Sequence, residues 1–338
     1  MNNLLKYILV LLFFTIWINL QSQDIHYSQM YGTPLYVNPA FTGNHENDYR
    51  VGVNYRKQDY YTRPYETYSA WGDTRFYPEI LRRNGWIGLG GHMFYDNAGD
   101  SPLRKIQAMV FSAYSQGFNF DNSIYGSLGI GLGVTNRSYD KNKLIFEDQW
   151  NEQYYIFDEG PSSDPLYIAN TSIFYFDFNL GMGFHHLVNE TWMYELGTSI
   201  SHITKPRETF GGTANNQVGR KIIAHVMVQH ILSKRLLLKP EAYYVSHMGS
   251  EELLLGANLV FGVEELKLYS GLWYRFGRDI IPAVGIEFNK MVLMFTYDVN
   301  VSKQRIASKY QGGFEVSLSK KFIARKSTRR HPCKMLQF

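Results

Sequence analysis

The sequence contains little cysteine and little charge. Of its 338 residues, one is cysteine and 19% are charged, with a formal net charge of +4. A single cysteine excludes a disulfide framework and a cysteine-based zinc site. So small a net charge excludes the basic stripe of a nucleic-acid-binding domain, and we expect no nucleic-acid partner. Because 45% of the residues are hydrophobic, the chain has enough apolar surface to fold.

Long hydrophobic runs are also missing beyond the first 22 residues. Lys6 precedes an apolar run over residues 7–18, and Asn19 and Gln21 interrupt the apolar character after it. A membrane-spanning helix needs about 20 apolar residues, whereas a basic start followed by a shorter apolar run is typical of a secretory signal. We therefore predict that residues 1–22 are a cleaved signal peptide and that the mature protein is exported.

What the mature sequence does have is regular alternation of apolar and polar residues. Phe176 and Phe178 alternate with Asp177 and Asn179, a period of two that is typical of β-strands. An even number of such segments predicts an all-β fold: a transmembrane antiparallel β-barrel of about 14 strands, forming one domain over residues 49–323. The segments lie near residues 49–58, 66–77, 84–95, 105–118, 122–137, 171–188, 191–203, 218–231, 235–248, 251–263, 265–277, 279–289, 290–300 and 311–323.

The lengths of the connections favour the same fold. Tight connections such as Asn189-Glu190 and Asn289-Lys290 tend to alternate with longer ones such as residues 138–170. Outer-membrane barrels combine short periplasmic turns with longer external loops, so we predict an integral outer-membrane protein in contact with lipid. Charged residues of the polar face, such as Glu195 and Lys267, should line the interior. A secreted β-sandwich is the alternative, although its strands are usually shorter.

Family-like motifs occur directly after the signal peptide and at several strand ends. The first includes Tyr27-Ser28-Gln29, Pro34, Asn38-Pro39-Ala40 and Thr42-Gly43. This order resembles the PorP/SprF family of outer-membrane proteins, found with the type IX secretion system of Bacteroidetes. The chain departs from the family at Phe314, where histidine is common. The matching barrel positions are Tyr55, Arg56, Gln58, Tyr274, Arg275, Asp298, Gly313 and Glu315.

The resemblance implies a function in protein export. It implies a non-enzymatic barrel subunit that assists secretion or surface attachment of proteins with C-terminal sorting domains, gliding adhesins among them. The implied partners are this cargo and periplasmic components, either the secretion ring or a peptidoglycan-binding lipoprotein. A stand-alone outer-membrane channel for small solutes is the alternative function.

Both segments that flank the barrel are candidates for docking. With an even strand number, residues 23–48 and the basic tail 324–338 both lie on the periplasmic side. They are predicted to contact periplasmic partners. For residues 23–48, closing or plugging the barrel is an equal alternative, whereas for the tail a solvated end is favoured. The docking candidates of the first segment are Tyr27, Gln29, Pro34, Asn38, Pro39, Phe41 and Gly43.

Neither a catalytic site nor a metal or cofactor site is predicted. His185 and His186 are adjacent, so on a strand they point to opposite faces. The sequence has no Gly-x-Ser-x-Gly motif, and the glycine series at residues 129–133 lacks the Lys-Ser/Thr of a phosphate-binding loop. On a strand these glycines should face the interior, where they make space or allow tight curvature. The aromatic excess predicts interfacial girdles, with these candidates: Trp71, Trp86, Trp192 and Trp273.

Overall fold

The computed structural model describes residues 26–323 except 46, 61–62, 79–80, 82–83, 100–102, 120–121, 159, 165–166, 168, 211–215, 304 and 307. These residues form a closed barrel of fourteen antiparallel strands, in which each strand pairs with the next and the last pairs with the first. The closing register runs from Tyr49 opposite Phe322 to Gln58 opposite Gly313. The predicted signal peptide and basic tail lie outside the described residues.

The strands are numbered along the chain, and two of them form a hairpin outside the barrel. They are β1 (Tyr49–Tyr60), β2 (Arg63–Phe76), β3 (Gly85–Ala98), β4 (Leu103–Gly117), β5 (Ile124–Ser138), the hairpin strands β6 (Trp150–Asn151) and β7 (Ile156–Phe157), then β8 (Ser172–Leu187), β9 (Trp192–Ser201), β10 (Lys221–Ser233), β11 (Leu236–His247), β12 (Ser250–Val263), β13 (Leu266–Arg275), β14 (Asp279–Phe288), β15 (Met291–Asn300) and β16 (Gln311–Phe322).

The helical elements whose bounds the described residues define are single turns. Before β1 come a 3₁₀ turn, a short α-helix and a second 3₁₀ turn, and two further 3₁₀ turns precede β6. No helix among the described residues is long and apolar enough to cross a membrane. The bounds are Met30–Gly32, Pro34–Val37, Pro39–Phe41, Lys141–Lys143 and Glu147–Gln149.

Alternation along each strand separates an outer face from an inner one. In β8, Phe176 is 72% exposed on the outer face, whereas the next residue, Asp177, is 3% exposed inside. An outer face of large apolar side chains suits lipid, because a cation there would cost about 2–4 kcal/mol at the bilayer midplane. The predicted fold and strand faces are confirmed. The inward acidic and basic side chains that are buried include Asp177, Glu195, Glu241, Arg275, Glu287 and Asp298.

The two ends of the barrel differ in their connections. At one end, here called the turn end, β14 and β15 are joined through Asn289 and Lys290, both with positive φ (47° and 60°). Two successive left-handed residues make the hairpin turn that best fits the twist of the strands. The longest connections lie at the other end, the loop end, and the connection between β5 and β8 carries the β6–β7 hairpin. By the general rule for outer-membrane barrels, the turn end faces the periplasm.

Three of the four tryptophans predicted for the interfacial girdles lie inside the barrel. Trp71, Trp86 and Trp273 are 7%, 0% and 1% exposed. Each occupies an inward position of its strand, and that parity overrides the preference of the indole ring for the interface. Trp192 differs, because it is partly exposed at the start of β9 and stacks on His230 with ring centroids 3.7 Å apart.

Candidate functional site

The segment before the first strand folds inside the barrel, and residues 26–45 are called the plug below. Its two proline-started turns follow from local sequence, since Pro34 and Pro39 each stand at the first helical position, where a missing N–H costs nothing. Asn38 caps the second turn, because its side-chain oxygen accepts a hydrogen bond from the backbone N–H of Ala40 at 2.9 Å. The two prolines and Asn38 therefore define the two turns of this compact segment.

The barrel wall encloses the plug. Six of the seven residues predicted to dock periplasmic partners are buried, and Phe41 is partly buried against His225. Burial of these side chains favours the plug over the docking interpretation of this segment. Their contact with a partner stays a prediction. The six buried members are Tyr27, Gln29, Pro34, Asn38, Pro39 and Gly43.

Four of the family-motif positions meet around one plug residue, Ser28. Its Oγ donates to Asp298 Oδ1 at 2.6 Å and accepts from Arg56 Nη1 at 2.6 Å and from Arg275 Nη2 at 3.1 Å. Arg56 pairs with Asp298 at 2.7 Å and with Glu315 at 3.1 Å. Ser28 with these four charged residues is called the motif cluster below.

The motif cluster is balanced by further groups of the wall and of the plug backbone. Arg275 also pairs with Asp279 at 2.7 Å and with Glu252 at 3.2 Å. Glu315 accepts hydrogen bonds from the backbone N–H of Ser28 at 2.7 Å and from Asn54 Nδ2 at 2.7 Å. Removing one partner from such a buried pair leaves an uncompensated charge, which costs about 3–5 kcal/mol. The plug joins this cluster through the hydroxyl and the backbone N–H of Ser28, whose hydrogen bonds to charged groups are worth about 1.5–3 kcal/mol each.

The other predicted barrel positions do not join the motif cluster. Tyr55 and Tyr274 each precede an arginine of the motif cluster on the same strand, so they point to the opposite face of the wall. Tyr274 is 39% exposed on the outer face. Gln58 and Gly313 are cross-strand partners where β1 meets β16. A Cβ at Gly313 would lie 2.7 Å from the carbonyl oxygen of Lys57, so glycine permits this close approach.

Glycines of the wall receive the second proline turn of the plug. A methyl group at Gly129 would overlap the backbone of Pro39, and one at Gly181 would overlap the side chain of Asn38. Asn38 Nδ2 donates to the carbonyl oxygen of Met182 at 2.9 Å. The prediction that the glycines at 129–133 face the interior and make space is confirmed at Gly129.

Asp73 of β2 holds the end of the plug. It accepts from the backbone N–H of Gly43 at 2.7 Å and from Arg50 Nε at 2.7 Å. Burial, with the nearby Arg50 and Arg75 guanidinium groups, lowers the pKa of His45 to about 2. Asp73 Oδ1 lies 3.6 Å from His45 Nε2, but Arg50 already neutralises that carboxylate, so burial prevails and His45 is neutral.

A cavity of about 520 Å³ separates the plug from the turn end of the barrel. Sequence reasoning missed this cavity, and also the roles of Ser28, Glu252 and Asp279. Parity along β12 and β14 places the last two inside, and the pairing of these strands with β13 brings them to Arg275. In the described part of the chain, no three His, Cys, Asp or Glu side chains are grouped to hold a metal ion.

A closed barrel with an apolar outer face and a plug in its lumen defines the class, an integral outer-membrane barrel. The chain belongs to the family of type IX secretion system membrane proteins PorP/SprF, whose model matches residues 19–319. No curated protein sequence matches the chain significantly.

Solved structures confirm the fold. The crystal structure of the Ralstonia pickettii toluene transporter TbuX is similar, with a TM-score of 0.51 and 10% sequence identity over 85% of this chain and 93% of that chain. The crystal structure of a Pseudomonas aeruginosa FadL homologue is similar too, with a TM-score of 0.51 and 10% identity over 83% of this chain and 91% of that chain. At such low identity the likeness concerns the fold alone.

Proposed function

We propose that the protein is a non-enzymatic barrel subunit of the type IX secretion system. In this proposal it assists secretion or surface attachment of proteins with C-terminal sorting domains, gliding adhesins among them. The observation that carries the proposal is the family match over residues 19–319. The plug supports it, because a barrel whose lumen is blocked by its own chain offers partners its two ends rather than a passage for solutes.

The turn end is the proposed site of linkage to the periplasmic ring or to a peptidoglycan-binding lipoprotein. The first barrel strand begins at Tyr49 and the last ends at Phe322, and these two residues lie side by side at this end. The basic residues of the tail, among them Arg325 and Arg329, follow in the sequence and stay a predicted docking element.

Deletion of the gene tests the secretion role. We expect the deletion strain to lose surface display of cargo with sorting domains, measured by antibody labelling of intact cells, and plasmid-borne wild-type protein to restore it. Affinity purification of the tagged protein should recover periplasmic ring or lipoprotein components. Normal display in the deletion strain would contradict the proposal.

Conductance separates the secretion role from that of a stand-alone channel for small solutes. The motif cluster and Asp73 attach the plug at two places, so purified wild-type protein should give no stable conductance in a planar bilayer. Deletion of residues 26–45 should open the barrel, whereas replacement of the external hairpin, residues 150–157, by a Gly-Ser linker should not. Steady conductance of the wild-type protein would favour the channel.

A further inference from the structure

A cavity lies at the turn end, between the plug and the inner face of the barrel wall. The plug, including Met30 and Tyr31, covers one side of the cavity, and inward positions of β1, β2 and β9 to β16 form its walls. A volume of about 520 Å³ lies within the range of about 300–1,000 Å³ that is usual for ligand pockets. Because it lies at the turn end, it faces the periplasm.

Methionines supply the apolar part of the cavity lining. Met30 comes from the plug, and Met193, Met227 and Met294 come from β9, β10 and β15. Methionine side chains are unbranched and polarizable, and they adapt to the shape of whatever they contact, which is why they are frequent at protein surfaces that bind varied peptides.

Positive charge prevails among the charged groups of the cavity. Its lining holds four cations, Arg50, Lys239, Lys267 and Lys321, and two carboxylates, Glu195 and Glu287. Of these, Lys267 stands opposite Glu287 in the strand register, and Arg50 pairs with Asp73.

The two remaining lysines lie in a repulsive arrangement. Lys321 stands directly opposite Arg50, and Lys239 and Lys267 repel it as well, whereas Glu287 attracts it. Like charges placed directly opposite each other destabilise a sheet. An arrangement that costs stability and faces an accessible cavity is suited to binding an anion.

We propose that this cavity binds an acidic peptide segment of a periplasmic partner, with its carboxylates on Lys239 and Lys321 and its apolar side chains on the methionines. The inference rests on the proposed function, since it supplies the chemistry of the periplasmic linkage. An acidic peptide suits the lining better than a simple anion, because the lining combines cations with apolar side chains.

Fluorescence anisotropy on the full-length protein in a non-ionic detergent tests the proposal. The probe is a short fluorescein-labelled peptide that alternates glutamate and leucine, and the comparison peptides replace glutamate by glutamine or by lysine. We expect only the acidic peptide to bind, and its affinity to fall as salt is raised from about 0.05 to about 0.5 M.

A matched pair of variants locates the binding. Lys239→Gln with Lys321→Gln should weaken binding by at least about fivefold. Lys234→Gln with Lys290→Gln removes the same charge from exposed turns at the same end and should change it less than about twofold. Heat-modifiable migration on gels checks that each variant is folded.

Several results would overturn the inference: equal binding of the glutamine peptide, equal loss in both variant pairs, or displacement of the acidic peptide by free glutamate at the same concentration. These outcomes are separate from the secretion test. If the deletion strain displays cargo normally while the purified protein binds the acidic peptide, the proposed function is wrong and the peptide site is still supported.

Discussion

Ser28 connects the plug to charged side chains from four strands. Its hydroxyl and backbone amide bind Asp298, Arg56, Arg275 and Glu315, which lie on β15, β1, β13 and β16. In the sequence these residues are separated by up to 287 positions. Alternation predicts that Arg275 and Asp298 point inward, but it carries no information about which inward residues meet.

Substitution of Arg56 tests the energetic weight of the motif cluster. Arg56→Met leaves Asp298 and Glu315 without their closest cation, so we expect the free energy of unfolding to fall by about 3–5 kcal/mol. Arg278→Met is the control, since Arg278 is 40% exposed and its pair with Glu252 should be worth less than about 1 kcal/mol. Urea titrations of tryptophan fluorescence in lipid vesicles measure both. Equal, small effects of the two substitutions would show that the buried ion pairs of the motif cluster contribute little to stability.

His45 gives a prediction for the dependence of stability on pH. Its pKa is about 2 in the fold against an ordinary value of 6.5, so below pH 6.5 the unfolded chain binds a proton that the folded protein does not. This contribution to stability is present above pH 6.5 and is lost as the pH falls, by at most about 1.4 kcal/mol per pH unit. His45→Gln removes it, so the wild type should lose more stability than the variant between pH 7 and pH 4 in urea titrations. Parallel pH profiles of the two proteins would contradict the assignment of a neutral, buried His45.

At the scale of elements, the plug fits closely against the inner face of the barrel wall. Its proline turns fit against glycines of β5 and β8, where an added Cβ would overlap Pro39 and Asn38. Shape complementarity of this kind is local, so a single larger side chain in the wall should displace the second turn while the motif cluster keeps its contacts.

Gly129→Val tests this fit. We expect the valine to displace the second proline turn of the plug and expose Ala40, which is 1% accessible in the fold. In a Cys333→Ser background carrying Ala40→Cys, the introduced thiol should react with a bulky maleimide at least about tenfold faster when Gly129→Val is also present. Gly160→Val is the control, because a Cβ there meets nothing within 4 Å. An unchanged rate with Gly129→Val would mean that the plug does not rest on this part of the wall.

The strands and the plug differ in how far sequence predicts them. Alternation predicts each barrel strand because one face must meet lipid and the other the lumen. Its limits appear where pairing continues into polar sequence, as where β1 and β2 extend to Tyr60 and Arg63 beyond the predicted ends. The plug has no periodicity, so only its prolines and Asn38 hint at turns, and its position inside the barrel depends on tertiary contacts. Trp71 and Trp273 likewise occupy inward positions of their strands, which places them in the lumen and not in the interfacial girdle.

At the scale of the whole molecule, the fold combines a lipid-facing barrel with a lumen that is filled near the motif cluster and hollow at the turn end. The family match assigns the protein to the type IX secretion system. The plug distinguishes the barrel from an open pore, because it occupies part of the lumen. Closure of the barrel also explains why the motif cluster is invisible to local sequence patterns, since β1 and β16 become neighbours only when the sheet closes.

A disulfide between plug and wall tests most directly that the plug occupies the closed barrel. A Cβ at Gly32 would lie 3.4 Å from Cβ of Ser317, close to the usual separation of about 3.5–4.5 Å in disulfides. In a Cys333→Ser background, Gly32→Cys with Ser317→Cys should form a disulfide in the intact outer membrane, seen as faster migration on denaturing gels without reductant. Gly160→Cys with Ser317→Cys should not form one. Free thiols in the first pair, in protein that is folded by its heat-modifiable migration, would contradict a plugged barrel.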